Sequence, residues 1–124
     1  MKISMSELLA FMSSKAENKT AKPHGAIGKV CIIRTFASGV HCGEIVSVVS
    51  GDGKSQVEVK NNRRLWSWEA KQGVALSGLA MSGMAPGKKV DTLTAQHFLE
   101  DVIEMIPASE QAIKDIKEYP VYVN

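Results

Sequence analysis

The stretch Val40-His41-Cys42-Gly43-Glu44-Ile45-Val46-Ser47-Val48-Val49, followed by Ser50-Gly51-Asp52-Gly53 and Gln56-Val57-Glu58-Val59-Lys60, decides the fold class. The first run is rich in β-branched residues, with Gly43 as a possible bulge. The second is a hairpin turn, because its two glycines accept positive φ at no steric cost. The third sets Val57 and Val59 on one strand face. Upstream, Val30-Cys31-Ile32-Ile33 predicts a strand ending near Arg34 to Phe36, and Ala37-Ser38-Gly39 turns the chain back. Downstream, Asn61-Asn62 reads as another turn, and Arg63 to Trp68 as a fourth strand. Short strands joined by tight turns make an antiparallel meander.

The flanks are helical. Ser4 and Glu7 have the spacing of a capping box, and Met5, Leu8, Leu9 and Met12 form a stripe at helical period, so Ser4 to Lys15 predicts a helix. Residues 16–26, with Pro23 and Gly25, read as a linker. Gly73 to Gly83 predicts a short helix or compact loop. Val90 to Ala95 and Leu99 to Ile106 predict two further elements, the second a strand ended by Pro107. Ser109 is placed to cap a last helix through Ile116, and Pro120 to Val123 is at best an edge strand. The expected fold class is α+β: a small antiparallel β meander or partly open barrel with an N-terminal helix and a short C-terminal helix. It forms one domain over 1–124, with the helix and linker in 1–26 and the β-rich body in 27–124.

Composition narrows the function. Of 124 residues, 44% are hydrophobic and 23% charged, the balance of a globular domain. Fifteen basic against 13 acidic residues leave a net charge of +2, too little basic excess for a general duplex binder. No apolar run is long enough to span a membrane. The N-terminal apolar stretch is interrupted by Ser and Glu and lacks a clear cleavage site, so it reads as a helix of a cytoplasmic protein and not as a signal peptide. Cys31 and Cys42 match no zinc or redox spacing and read as two free thiols in a reduced compartment. A single core of this size leaves little room for a deep pocket within one chain, which favours a site between subunits.

Two segments carry candidate binding chemistry. In Asn61-Asn62-Arg63-Arg64-Leu65-Trp66-Ser67-Trp68, strand alternation sets Arg64, Trp66 and Trp68 on one face. Such a face can stack a base on an indole while a guanidinium grips a phosphate. The alternative is two core tryptophans with Arg64 reaching over them to water. In the Arg34–His41 segment, Arg34, Ser38 and His41 surround a glycine turn whose amides can approach an anion; the alternative is an ordinary polar hairpin end. Gly87-Lys88-Lys89 lacks the spaced glycine and the hydroxyl residue of a phosphate loop and reads as a solvated loop with weak anion affinity. There is no HExxH, no GxSxG and no Cys/His cluster, and His24, His41 and His97 are scattered. Alternation places Asp101 opposite Glu100 and Glu104, as on a solvated strand edge. No enzyme, no metal and no cofactor is expected.

The series Val30-Cys31-Ile32-Ile33-Arg34-Thr35-Phe36-Ala37-Ser38-Gly39-Val40-His41-Cys42-Gly43, the Gly51-Asp52-Gly53 hairpin, Arg63-Arg64-Leu65-Trp66-Ser67-Trp68, Gly73 to Gly83, Asp101 to Pro107 and Ser109 to Ile113 together resemble a family of small phage-encoded proteins. Its members include anti-Thoeris sponges, and the resemblance covers roughly residues 28 to 117. It implies a protein of the infected bacterial host's cytoplasm that binds a cyclic nucleotide immune signal without cleaving it. That signal is a cyclic ADP-ribose isomer, with cyclic oligonucleotides as a further ligand class. It also implies a homo-oligomer, a dimer or an assembly of dimers, with pockets at subunit contacts. Membrane and polymeric nucleic acid are not expected partners.

Residue chemistry distributes the ligand's parts. Trp66 or Trp68 would stack the base, Arg34, Arg63 and Arg64 would hold phosphates, and Ser38, Asn61 and Asn62 would meet ribose, with His41 beside them. The other readings of the same residues are a single-stranded nucleic-acid module of OB-like type and a structural or interaction phage protein.

Overall fold

The computed structural model describes residues 23–51 and 53–124. The helix expected over Ser4 to Lys15 lies outside them. Four strands, β1 (Val30–Thr35), β2 (Val40–Ser50), β3 (Ser55–Leu65) and β4 (Val90–Pro107), run antiparallel to their neighbours and close into a barrel in the order β1-β2-β3-β4. Two helices, α1 (Leu76–Ser82) and α2 (Glu110–Glu118), complete the α+β fold.

Closure follows from the length of β4. Its first part pairs β3, with Leu65 opposite Val90 and Val57 opposite Leu99. Its last part pairs β1, with Ile32 opposite Ile106 and Cys31 opposite Pro107. Val102 stands opposite both Ser55 and Thr35, at the point of hand-over. Bending so few strands into a closed wall requires local irregularities, and register shifts occur at Arg34/Thr35, Cys42/Glu44, Ile45/Ser47, Ser55/Val57 and Arg63/Leu65.

The alternation of β1 serves two cores. Cys31 and Ile33 point into the barrel with Ile45, Val57, Val59, Leu99 and Val102. Ile32 points outward and meets Cys42, Leu65, Val90, Leu76, Leu79, Ala80, Met84 and Ile116 beneath the helices. The two cysteines therefore face opposite cores, both as free thiols. Burial raises the pKa of both, that of Cys42 to about 12. Neither has the thiolate character that reactive cysteines need.

Three expectations are corrected. Asn61-Asn62 is not a turn: β3 runs through it, with Asn61 at φ 52, a conformation that asparagine tolerates. Residues 90–107 form one strand instead of two elements. Pro120 to Val123 joins no strand, although Tyr122 N donates to Val90 O at 2.9 Å. Elsewhere, the stretch Gly73 to Gly83 contains α1, and Ser109 caps α2 by accepting from Ala112 N at 3.2 Å.

Gly43 sits at the Cys42/Glu44 register shift between β2 and β3. A Cβ there would lie 3.0 Å from Asn62 Cα and would collide with the Val59 side chain. Gly43→Ala is expected to cost about 1–3 kcal/mol, because both neighbours are held by the barrel wall. A chemical denaturation midpoint equal to that of the parent protein would contradict the close approach.

Candidate functional site

Residues directly opposite one another on paired strands share a face. His41 stands opposite Ile33 and Arg64, and His97 stands opposite Val59. Ile33 and Val59 belong to the interior core, so His41, Arg64 and His97 turn inward as a polar layer at one end of the barrel. Asn62, fully buried, joins them.

The hydrogen bonds of this layer determine its protonation. His41 Nε2 lies 2.9 Å from Ser38 O. A carbonyl only accepts, so Nε2 carries the proton and Nδ1 is the acceptor. The Asn62 atom facing Nδ1 at 3.1 Å must then be the amide nitrogen, which also lies 3.1 Å from His97 Nδ1. Thr94 Oγ1 donates to Asn62 O at 3.2 Å. His41 thus accepts at Nδ1, Thr94 Oγ1 also lies 3.0 Å from His97 Nδ1, and the two imidazole rings meet edge to face at 5.4 Å. Burial lowers the His41 pKa to about 4; the Ser38 carbonyl and, more weakly, Asp101 work against this, while the neighbouring Arg64 and His97 add to it.

Arg63, one residue before Arg64, points the other way. Its partner across β2 is Cys42, in the outer core. The buried guanidinium donates from Nε to Asp91 O at 2.9 Å, and from Nη1 to Ile116 O at 2.7 Å and to Tyr119 O. The Ile116 and Tyr119 carbonyls lie at the C-terminal end of α2 and that of Asp91 in β4, so Arg63 fastens the helix to the barrel, where a cation also suits the helix dipole. Burial pulls its pKa down, and Asp91 and Cys42 oppose that. Asn61 and Arg63 line a cleft of about 400 Å³ against Ile113, Ile116 and Lys117 of α2.

The expected common face of Arg64, Trp66 and Trp68 does not form, because β3 ends at Leu65. Ser67 then pairs with Lys89: Ser67 N donates to Lys89 O at 3.1 Å, and Lys89 N donates to Ser67 Oγ at 2.8 Å. This exchange separates the two indoles. Trp68 packs half-buried on the outer core. Trp66 is left 71% exposed, with Lys89 Nζ 4.9 Å from its ring centroid and 4.7 Å from that of Tyr122. Trp66, Lys89, Val90, Asp91 and Tyr122 line a pocket of about 370 Å³. Beside it, sharing Asp91, lies a cavity of about 90 Å³ lined by Asn62, Arg64, Thr92, Thr94 and His97.

Of the residues singled out from sequence, Arg64, Asn62 and Trp66 come together around these two adjoining spaces, and His41 stands behind Asn62 in the core. Arg34 and Ser38 lie apart, at the β1–β2 turn. There Asp101 accepts from Ala37 N at 2.6 Å and Ser38 Oγ at 2.9 Å, so it clamps the turn and is not a bystander on a solvated edge. Partial burial works to raise the Asp101 pKa, and the bonds from Ala37 and Ser38 outweigh it and lower it. Lys89, Tyr122, Asp91 and His97 were not among the sequence candidates. Only the β3–β4 register, Leu65 opposite Val90, brings Lys89 to Trp66. Among the described residues, no group of three or more His, Cys, Asp and Glu side chains is placed to hold a metal ion, and no helix is long and apolar enough to cross a membrane.

The neutral His41 gives the domain a pH dependence. Its folded pKa of about 4 lies below the ordinary 6.5, so the unfolded chain takes up a proton that the folded chain refuses. The resulting stabilisation is complete above pH 6.5 and is lost as pH falls towards 4, by about 3 kcal/mol in all. In His41→Gln, which cannot titrate, unfolding free energy is expected to fall less steeply between pH 6.5 and 4.5. Parallel pH profiles for the two proteins would contradict the buried neutral imidazole.

No curated protein and no solved structure matches the chain. Residues 28–116, well over half of its length, match a family described as "Domain of unknown function (DUF6948)". The match takes in all four strands and nearly all of α2, including every residue of the polar layer. The chain belongs to the DUF6948 family.

Proposed function

We propose that the protein binds and sequesters a cyclic nucleotide signal, a cyclic ADP-ribose isomer, at the end of the barrel without cleaving it, and so acts as a phage anti-defence sponge in the infected bacterial host. The observation that carries the binding part is the exposed Trp66 indole set beside Lys89 and Tyr122 around a pocket, with the Arg64 guanidinium nearby. Such a ligand presents one planar base and a diphosphate. Trp66 and Tyr122 supply aromatic surface, and Lys89 and Arg64 supply charge. The resemblance of the motif series to phage sponges supports the signalling ligand and the storage role.

The magnitudes are compatible with tight binding. Sequestration at nanomolar level needs about −12 kcal/mol. Stacking on an aromatic ring contributes roughly 1–3 kcal/mol per base, and charge-assisted hydrogen bonds roughly 1.5–3 kcal/mol each. Association costs must be subtracted, so a single open pocket falls short unless a second surface closes over it. A homo-oligomer with the Trp66 pocket at a subunit contact supplies that surface, and this is the assembly we propose.

The test is incubation with a panel of cyclic nucleotides, removal of free ligand by filtration, heating, and mass spectrometry of what is released. An intact nucleotide at up to one equivalent per site is expected. Cleaved product in excess over protein would make the protein an enzyme and overturn the sponge. Lys89→Ala and Arg64→Ala are each expected to weaken binding about ten- to a hundredfold. Trp66→Ala should lose affinity with an unchanged melting temperature, since the side chain is exposed.

A further inference from the structure

Lys89 Nζ lies over the Trp66 ring at 4.9 Å from its centroid and over the Tyr122 ring at 4.7 Å. One ammonium thus covers a face of each ring, at the 370 Å³ pocket that all three residues line. Its neighbour Lys88 is engaged differently, in an ion pair with Glu69 at 3.1 Å. Among the described residues, Lys89 has no carboxylate within ion-pair distance. Asp91 lines the same pocket, but its Oδ1 accepts from Thr92 N at 2.7 Å. The rings that hold the charge are themselves open to solvent, Trp66 at 71% and Tyr122 at 47% exposure. The Lys89 main chain is fixed by its exchange with Ser67, so only the side chain is free to move.

Two demands meet at this ammonium. A cation over an exposed aromatic ring is weakly held, and a phosphate offers it stronger, charge-assisted hydrogen bonds. A base stacked on the same ring faces needs the place the ammonium occupies. A ligand that carries both groups answers both demands: its phosphate draws Lys89 off the rings, and its base takes the uncovered surface. A nucleoside brings the base alone. It gives the ammonium no new partner and must displace it against the attraction of both rings.

We propose that Lys89 is a specificity gate, covering the stacking faces of Trp66 and Tyr122 until a phosphate draws it away, so that the pocket takes nucleotides and refuses nucleosides. The inference rests on the nucleotide reading of the Trp66 pocket. Lys89 then acts in opposite directions on two ligands, raising affinity for a phosphorylated one and lowering it for an unphosphorylated one. A lysine that only supplied charge to phosphate would leave nucleoside binding unaffected.

The test is titration of the full chain and of Lys89→Ala with cyclic ADP-ribose and with adenosine, followed at the Trp66 indole N–H signal. The substitution leaves the main-chain exchange with Ser67 in place. Cyclic ADP-ribose is expected to bind Lys89→Ala about ten- to a hundredfold more weakly, and adenosine several-fold more tightly, than they bind the parent protein. In Lys89→Arg, which keeps the charge and stacks on aromatic faces, adenosine should gain nothing. Adenosine binding that is unchanged or weaker in Lys89→Ala would overturn the gate while leaving the pocket reading standing. Equal gains for adenosine in the alanine and arginine variants would also overturn it, as would adenosine binding the parent protein as tightly as cyclic ADP-ribose does. Failure of cyclic ADP-ribose to bind the parent protein would instead remove the nucleotide reading, and the gate with it.

Discussion

β4 hydrogen-bonds β3 along its first part and β1 along its last, and this double pairing closes the barrel. A sheet of four strands can close only by bending sharply, and the bends fall at register shifts. The shift at Arg63/Leu65 and the end of β3 at Leu65 together distribute the three polar and aromatic side chains that matter most. Arg63 goes outward to hold α2, Arg64 goes inward to the polar layer, and Trp66 leaves the strand for the surface. Lys89 stands beside Trp66 through the Ser67–Lys89 exchange at the end of the β3–β4 ladder.

The polar layer is an uncommon use of a small barrel's interior. Apolar side chains fill most of it, while His41, Asn62, Arg64 and His97 occupy one end. Such a layer costs stability unless its groups are paired. Most are: the Asn62 amide nitrogen donates to His41 Nδ1, and His97 Nδ1 lies within hydrogen-bond distance of both Asn62 and Thr94. The unmatched atoms, Asn62 Oδ1 and Arg64 Nε, belong to residues lining the cavity next to the exposed indole.

The parts of this arrangement that local chemistry specifies were legible in the chain. The glycines of the β2–β3 hairpin, the β-branched run of β1 and the Ser109 cap each announce their structure within a few residues. The errors came where one local signal has two uses. Asn61-Asn62 has turn chemistry, but the same tolerance of positive φ lets asparagine sit within a strand at a tight approach. The middle of β4, Thr94-Ala95-Gln96-His97, lacks the alternation of a half-buried strand, because most of its residues face solvent or the polar layer. Arg63 and Arg64 are indistinguishable as letters, and only the strand face separates a helix fastener from a cavity residue. Lys89 and Tyr122 carry no local sign of their role; they reach Trp66 through pairings far apart in sequence.

The central claim is that ligand meets Trp66 and not Trp68, and the chain's two indole N–H groups make it directly observable. In a two-dimensional ¹H–¹⁵N spectrum they give two indole signals, assigned by single Trp→Phe variants. Titration with cyclic ADP-ribose is predicted to shift the Trp66 signal strongly and leave that of Trp68 in place. Movement of the Trp68 signal alone, or of neither at saturating ligand, would contradict the account.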